Sequence, residues 1–309
     1  MNALRLRPRR SMTRWLLCAA LLGLAWTAPA QAEDDDDFET GWVGVRLGMW
    51  YRPEVRLEGL VSGKALGFGP NVPGTSFNAE RDLGVTQNVE SDFFFDQGVG
   101  EAEVFFDSEW ISLSLEVVAP HTYRGSRVLQ RTINFNGRTF TAGVALKTKL
   151  QQFTGGAQIK LNVLNNRIVA VSPLIGVRVL GIDWELESSV LGQPALRGDT
   201  SDISSPLQFG GFQVLPYPEL GLEVKVGLRK YFEVDAKLAG FYLDFFGVRG
   251  GAIEAELGAT LYPVSNLGIR LAYRYYAVDF EARKSGASSN FFEFDLEFLG
   301  PSLSVVVRF

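Results

Sequence analysis

Alternation of apolar and polar residues with a period of two is the feature that most constrains the fold of this chain. It recurs in segments of about 10 to 15 residues that are separated by turn residues, a spacing typical of membrane β-strands. In the first segment, residues 40–52, the apolar face consists of Val43, Val45, Leu47, Met49 and Tyr51. Successive side chains of a strand point to opposite faces. Each segment therefore predicts a strand with one face in lipid and the other facing a lumen.

The segments in series predict an all-β fold, an antiparallel transmembrane β-barrel of about ten strands. Eight or twelve strands stay open, because alternation blurs at strand ends. The predicted strands are residues 40–52, 98–107 and 110–119, a fourth that ends near Val163, 167–186, 213–227, three that include Phe232–Leu238, Ile253–Leu261 and Ile269–Tyr275, and a last strand that ends at Phe309.

The connections between the segments differ in length in a regular way. Long loops are expected after the first, third and fifth strands, at residues 53–96, 120–140 and 187–211. Short turns are expected after the second, fourth, sixth and eighth, at 107–109, Asn165-Asn166, Arg229-Lys230 and Pro263–Leu267. Long outer loops with short periplasmic turns are the rule for bacterial membrane barrels. A soluble β-sandwich, which composition alone would favour, has no reason to alternate in this way.

The N-terminus predicts export. Residues 1–14 contain five arginines and no acid, an apolar run follows from Trp15 to Trp26, and Ala30-Gln31-Ala32 is a small-x-small cleavage site. This is the pattern of a secretory signal peptide at residues 1–32, with Arg9-Arg10 leaving a twin-arginine route open. An acidic tail, residues 33–39, then precedes the barrel at 40–309. Glu33–Asp37 suits a solvated tail better than a calcium loop, because it lacks the glycine spacing of one.

The mature chain is acidic and has no cysteine. Cleavage removes Cys18, which is the only cysteine, and five arginines, so that 25 basic residues remain against 35 acidic ones and the net charge becomes about −10. That balance argues against nucleic acid as a partner. No cofactor, metal-binding or catalytic residue is assigned from the sequence.

Charged residues dominate the face that alternation assigns to the lumen. The predicted lumen charge network is Glu101, Glu103, Lys160, Arg178, Glu223, Lys225, Glu254, Glu256, Arg270 and Arg274, and Glu116, Glu233, Asp235 and Lys237 share the same face. In a narrow barrel such charges can pair and fill the interior, or they can line an open aqueous pore. We expect Glu254 and Glu256 to pair with Arg270 and Arg274 on the neighbouring strand, because opposite charges across adjacent strands attract.

The C-terminus carries a resemblance to a known superfamily. Leu303, Val305, Val307 and Phe309 alternate with other residues and end the chain on Phe, which resembles the barrel-assembly signal of Gram-negative outer-membrane β-barrel proteins. The resemblance covers about residues 33–309. It implies a location in the cell outer membrane, and as partners outer-membrane lipid and lipopolysaccharide, the barrel-assembly machinery and periplasmic chaperones. It implies no catalytic residue.

His121 is the only histidine and is expected near the outer end of the third strand, as an ordinary polar loop residue. A lipid hydrolase would need an oriented His with a Ser nucleophile, and no Ser or Asp stands at matching spacing. The expected function is therefore a non-enzymatic outer-membrane barrel with a surface-binding or structural role. A narrow, porin-like channel for small solutes and an outer-membrane hydrolase that uses His121 are the alternatives.

Overall fold

The computed structural model of the chain is a closed antiparallel β-barrel. It describes residues 42–52, 54–61, 63–64, 71–72, 75–83, 85–86, 98–135, 138–166, 168–188, 196–199, 208–209, 212–227, 231–245, 248–264, 266–283 and 291–309. The signal peptide, the acidic tail and the turn at Arg229-Lys230 that the sequence predicts lie outside these ranges.

Ten long strands form the wall of the barrel, as the sequence predicts. They are β1 (Trp42–Tyr51), β2 (Gly98–Asp107), β3 (Ile111–Val128), β4 (Ala145–Leu161), β5 (Val169–Ser188), β6 (Phe212–Val226), β7 (Phe232–Phe245), β8 (Val248–Val264), β9 (Leu267–Arg283) and β10 (Phe291–Arg308). Each strand pairs antiparallel with its neighbours in sequence. The last strand pairs with the first, from Gly44 opposite Arg308 to Trp50 opposite Ser302, and this pairing closes the barrel.

The outer surface of the wall carries an apolar belt. Leu115 of β3 is 56% exposed and Leu271 of β9 is 60% exposed, and leucine, isoleucine and valine side chains at alternate positions of β1, β4, β5, β8 and β10 are exposed as well. An apolar belt around a closed β-wall is the surface that a membrane barrel presents to lipid, since no backbone edge remains unpaired. The barrel is therefore a membrane-spanning one.

The one described α-helix, α1 (Ala79–Leu83), is too short to cross a bilayer, and no described helix has the length and hydropathy for it.

Several strands are much longer than a membrane crossing requires. About 9 to 11 tilted residues span the hydrocarbon region, whereas β5 has 20 residues and β3 has 18. The extra length lies at the end opposite the short turns, which is the extracellular end if those turns are periplasmic. We call this part, outside the apolar belt, the extracellular extension.

The structure differs from the loop that the sequence predicts at residues 120–140. Strand β3 continues through Pro120 and His121 to Val128. A small hairpin of Ile133–Phe135 and Arg138–Phe140 follows. A smaller correction concerns the turn predicted at Pro263–Leu267, since β8 runs through Pro263 to Val264 and β9 begins at Leu267.

The side-chain pattern inverts between the belt and the extension. Within β9 the inward residues are first charged, Arg270 and Arg274, and then apolar or aromatic, Tyr276, Val278 and Phe280. Outward residues change from Leu271 to Asp279, which is exposed. Water surrounds the wall outside the membrane, so the extension folds like a soluble protein, with apolar side chains inside and polar ones outside.

Shorter elements pack on the extension. The strand Glu54–Val61 pairs with β10, Phe77–Asn78 pairs with Glu54–Val61, and Val85–Thr86 pairs with β3. Leu196–Asp199 pairs with β5, Gln208–Phe209 with β6, Leu164–Asn165 with β5, and Gly63–Lys64 with Asn71–Val72. Leu83 of α1 and Ile133, Phe135 and Phe140 of the hairpin are almost fully buried in the apolar core. Helix and hairpin therefore close the outer end of that core.

Candidate functional site: the charged lumen

A ring of four charged side chains crosses the lumen at the level of the membrane. Arg178 Nη2 lies 2.9 Å from Glu116 Oε2 and 2.5 Å from Glu254 Oε2. Arg274 Nη2 lies 2.5 Å from Glu116 Oε1 and 3.2 Å from Glu254 Oε1. Each arginine thus contacts both glutamates, and the four side chains form a closed cycle.

The ring connects distant parts of the wall. Its members come from β3, β5, β8 and β9, and three further strands separate β9 from β3 around the circumference. All four side chains are at least nine-tenths buried. Because guanidinium groups present several donors in one plane, each arginine can bind carboxylates from different directions at once. The cycle therefore crosslinks the interior of the barrel.

More acids and bases surround the ring. Arg270 pairs with Asp235 and, at 2.6 Å, with Glu256, while Arg274 Nε lies 2.7 Å from Glu256 and Arg274 Nη1 2.6 Å from Glu101. Glu219 accepts hydrogen bonds from Gln158 Nε2 at 2.8 Å and from Arg178 Nε at 3.2 Å. These contacts satisfy charges that would be costly to bury alone.

The structure places every residue of the predicted lumen network on the inner side of the wall. Arg270 and Arg274 lie against Glu254 and Glu256 in the way that cross-strand attraction predicts. Lys160 pairs with Glu223, and Lys225 lies 3.3 Å from both Glu223 and Asp107. Glu103 does not join the central group, because its partner is Arg46 of β1 at 2.6 Å.

Five of the described residues that take part are absent from the predicted network. They are Arg46, Asp107, Gln158, Glu219 and Arg308. Alternation already assigns Arg46 and Glu219 to the inner face, so the signal was present in the sequence. Asp107 is the last residue of β2, and the sequence alone does not distinguish the end of a strand from the start of a turn. Gln158 carries no charge, so only the structure shows that it donates a hydrogen bond to Glu219.

Polar and aromatic zones lie on the two sides of the ring. Toward the short turns the interior contains a cavity of about 70 Å³, lined among others by Lys225, Glu233, Tyr262 and Arg308. That volume can hold a few water molecules. On the other side Tyr217 and Tyr276 join through their hydroxyl groups at 2.5 Å, and Tyr276 stacks with Phe298. The aromatic layer then continues into the apolar core of the extension.

The structure corrects the expected place of His121. The residue lies within β3 rather than in a loop, half-buried, with its ring centroid 4.6 Å from that of Tyr123. Burial and the positive charge of the nearby Arg52 lower the pKa of His121 to about 4. An edge-on aromatic neighbour does not orient an imidazole toward a nucleophile as a catalytic His requires.

The residues of the predicted assembly signal lie where the sequence places them. Leu303, Val305 and Phe309 are exposed on the outer surface, Phe309 to 73%, and Val307 is half-buried. The backbone N–H of Phe309 donates to the carbonyl oxygen of Val43 at 2.8 Å. The C-terminal residue thus takes part in closing the barrel.

No protein-family model matches the chain, and no curated protein matches its sequence. Among solved structures, the chain is similar to the outer membrane protease OmpT from Escherichia coli, at 11% identity and a TM-score of 0.42, over 90% of this chain and 99% of that one. It is similar to Ail, the attachment invasion locus protein of Yersinia pestis, at 8% identity and a TM-score of 0.27, over 87% and 99%.

A third similar structure is the outer membrane protein OprG from Pseudomonas aeruginosa, at 10% identity and a TM-score of 0.30, over 87% of this chain and 96% of that one. Likenesses this low transfer no function to the chain. Its role has to follow from its own geometry.

Proposed function

We propose that the chain is an integral outer-membrane barrel with a closed lumen, which acts as a binding or structural protein through its extracellular extension and has no enzymatic activity. The observation that carries the proposal is the cycle of Arg178, Glu116, Arg274 and Glu254 across the lumen. A solute would have to break several buried ion pairs in order to pass. The apolar core beyond the cycle is a second barrier to ions.

The outer membrane is the location that best suits the exposed apolar belt together with the export signal and the terminal Phe of the sequence. Bacterial outer membranes hold closed barrels of this kind, inserted from the periplasm. Outer-membrane lipid, lipopolysaccharide, the barrel-assembly machinery and periplasmic chaperones are the partners that such a location supplies, and we propose them on that ground.

Planar-bilayer recording on refolded protein tests the closed lumen. We expect no steady single-channel current from the unmutated protein at neutral pH. A large and stable current would contradict the proposal and would favour a narrow channel for small solutes. The cavity of about 70 Å³ beside Lys225 and Arg308 favours that second function, because it would be the inner mouth of such a channel.

A further inference from the structure

Arg52, which directly follows β1, is a buried cation that makes no ion pair with another described residue. The residue is 1% exposed. Its Nη1 donates a long hydrogen bond, 3.4 Å, to the hydroxyl of Tyr123, and within the described residues its Nε and Nη2 have no hydrogen-bond partner and it makes no ion pair. A buried charge that is left unpaired is strongly unfavourable. Arg52 therefore needs an anion that the described residues do not provide.

The unpartnered atoms identify the shape of that anion. Nε and Nη2 form one edge of the guanidinium plane, with two N–H bonds that point the same way. This edge binds the two oxygens of a carboxylate or phosphate side by side. The Cζ atom lies 4.0 Å from the ring centroid of Trp50 and 4.4 Å from that of Phe298, so that aromatic rings hold the plane of the group in place.

A second buried polar group lies close to the same part of the wall. Gln152 of β4 is 1% exposed, and neither its Nε2 nor its Oε1 has a hydrogen-bond partner among the described residues. It stands opposite His121 in the register of β3 and β4, and His121 contacts Tyr123. The polar groups thus run from the buried Arg52 to the half-buried His121. Leu150, which stands opposite Tyr123 in the same register, belongs to the apolar core of the extension.

We infer that the extracellular extension contains a binding site for the acid group of an apolar organic anion, which Arg52 binds through its Nε–Nη2 edge. Gln152 is placed to contact the same ligand, and the aromatic and apolar neighbours receive its hydrocarbon part. The inference rests on the proposed binding role of the extension but not on the closed lumen. A carboxylate and a phosphate present the same pair of oxygens, and both chemistries suit the site.

Thermal unfolding of the refolded barrel in nonionic detergent tests the site. The probes are octanoate and octyl phosphate, with octanol as the uncharged control. We expect at least one of the two acids to raise the unfolding midpoint of the unmutated protein by about 3 °C or more, and octanol to have no such effect. A response to octanoate alone assigns a carboxylate, and a response to octyl phosphate alone assigns a phosphate.

Arg52→Met keeps the length of the side chain and removes its charge. We expect this variant to unfold at the same temperature as the unmutated protein or higher without a ligand, because it no longer buries an unpaired charge, and to lose the response to acids. Arg124→Met, which removes an exposed arginine of β3, should respond as the unmutated protein does. The inference is wrong if neither acid stabilises the unmutated barrel, or if Arg52→Met responds like Arg124→Met. Bilayer recording on the same preparations tests the closed lumen separately.

Discussion

Arg274 Nη1 lies 2.6 Å from Glu101 Oε2, although 173 positions separate the two residues in the chain. Their strands, β9 and β2, are not neighbours, because β10 and β1 lie between them in the wall. The contact forms only when the barrel is closed. Arg274 also contacts Glu116, Glu254 and Glu256, so one side chain connects β2, β3, β8 and β9 inside the lumen.

Arg274→Ala should therefore destabilise the barrel. Removing one partner of a buried ion pair costs about 3–5 kcal/mol, and here four carboxylates lose a partner together. We expect a loss of at least that size in the free energy of unfolding, measured by urea titration in lipid vesicles. The bilayer current should stay absent, because the apolar core of the extension still closes the outer end of the lumen. Arg124→Ala, on the exposed surface, should change stability by about 0–1 kcal/mol. Unchanged stability in Arg274→Ala would show that the network does not crosslink the interior of the barrel.

The period of two made the inner face of the membrane-spanning part predictable. Alternation is a property of the strand backbone, so Glu254 and Arg274 had to face inward once Leu257 and Leu271 faced lipid. Which charges meet across the lumen was not predictable. The cycle through Glu116 and Arg178 depends on the diameter of the barrel and on the stagger of its strands, which no short segment encodes.

The extracellular extension escaped prediction for a different reason. Beyond the membrane the outer face contacts water, so the apolar-outside rule that identifies membrane strands no longer applies. The pairing of β3 with β4 also has an irregularity, which lies between Gln152 and Thr154 of β4 and near Pro120 of β3. Val118 and Tyr123 are both buried, although strict alternation would place residues five positions apart on opposite faces. Because the alternation is interrupted here, the sequence pattern of residues 120–128 resembles that of a loop.

Gly48→Val should hinder barrel closure. A Cβ atom at Gly48 would lie 2.5 Å from the Cβ of Ser304 and 2.7 Å from the carbonyl oxygen of Leu303, at the junction of β1 and β10. Overpacking a well-packed site costs about 1–3 kcal/mol. We expect a smaller folded fraction on gels of unheated samples. At Gly100 the nearest atom would be 3.7 Å away, so Gly100→Val should fold normally. Equal folding of the two variants would argue against a tight junction.

Processing should produce a mature protein that begins at Glu33. The small residues Ala30 and Ala32 suit the signal peptidase, and the apolar run before them is too short to remain as a membrane helix. N-terminal sequencing of protein purified from outer membranes measures this directly. An intact Met1 in that fraction would contradict the export prediction.

The docking of α1 on the extracellular extension should weaken at strongly acid pH, because Asp82 of α1 becomes protonated there. Burial raises the pKa of Asp82, but hydrogen bonds from Arg81, from the backbone N of Asn78 and from Arg131 outweigh it, and the pKa is about 2. A carboxyl whose pKa is lowered by folding stabilises the fold above its ordinary pKa of 3.8, and this contribution is lost as the pH falls toward 2.

Hydrogen exchange at the backbone N–H of Asn134, which donates to Thr75 Oγ1 in the region that Arg131 joins to Asp82, measures this effect. We expect Asp82→Asn to reduce protection at pH 6 by up to about tenfold, because the pair is partly exposed and screened. The unmutated protein should lose protection to the same extent only near pH 2, after correction for the intrinsic exchange rate. If the variant is protected at pH 6 as well as the unmutated protein is, Asp82 does not hold this region.

Deletion of Phe309 should reduce assembly in cells more than folding in detergent. The ring is 73% exposed on the lipid face and buries little, whereas its backbone N–H adds one hydrogen bond to Val43. A hydrogen bond of this kind contributes about 1 kcal/mol. Seven further residue pairs join β1 to β10, so the barrel should stay closed without this bond. We therefore expect refolding of the purified variant in detergent to be nearly unchanged. In cells, where a terminal Phe resembles the signal read by the barrel-assembly machinery, the amount of folded protein in the outer membrane should fall several-fold. Phe309→Tyr, which keeps an aromatic ring at the terminus, serves as the matched control and should assemble normally. A parallel loss in detergent would make Phe309 a structural residue, and unchanged assembly in cells would remove the basis for the resemblance.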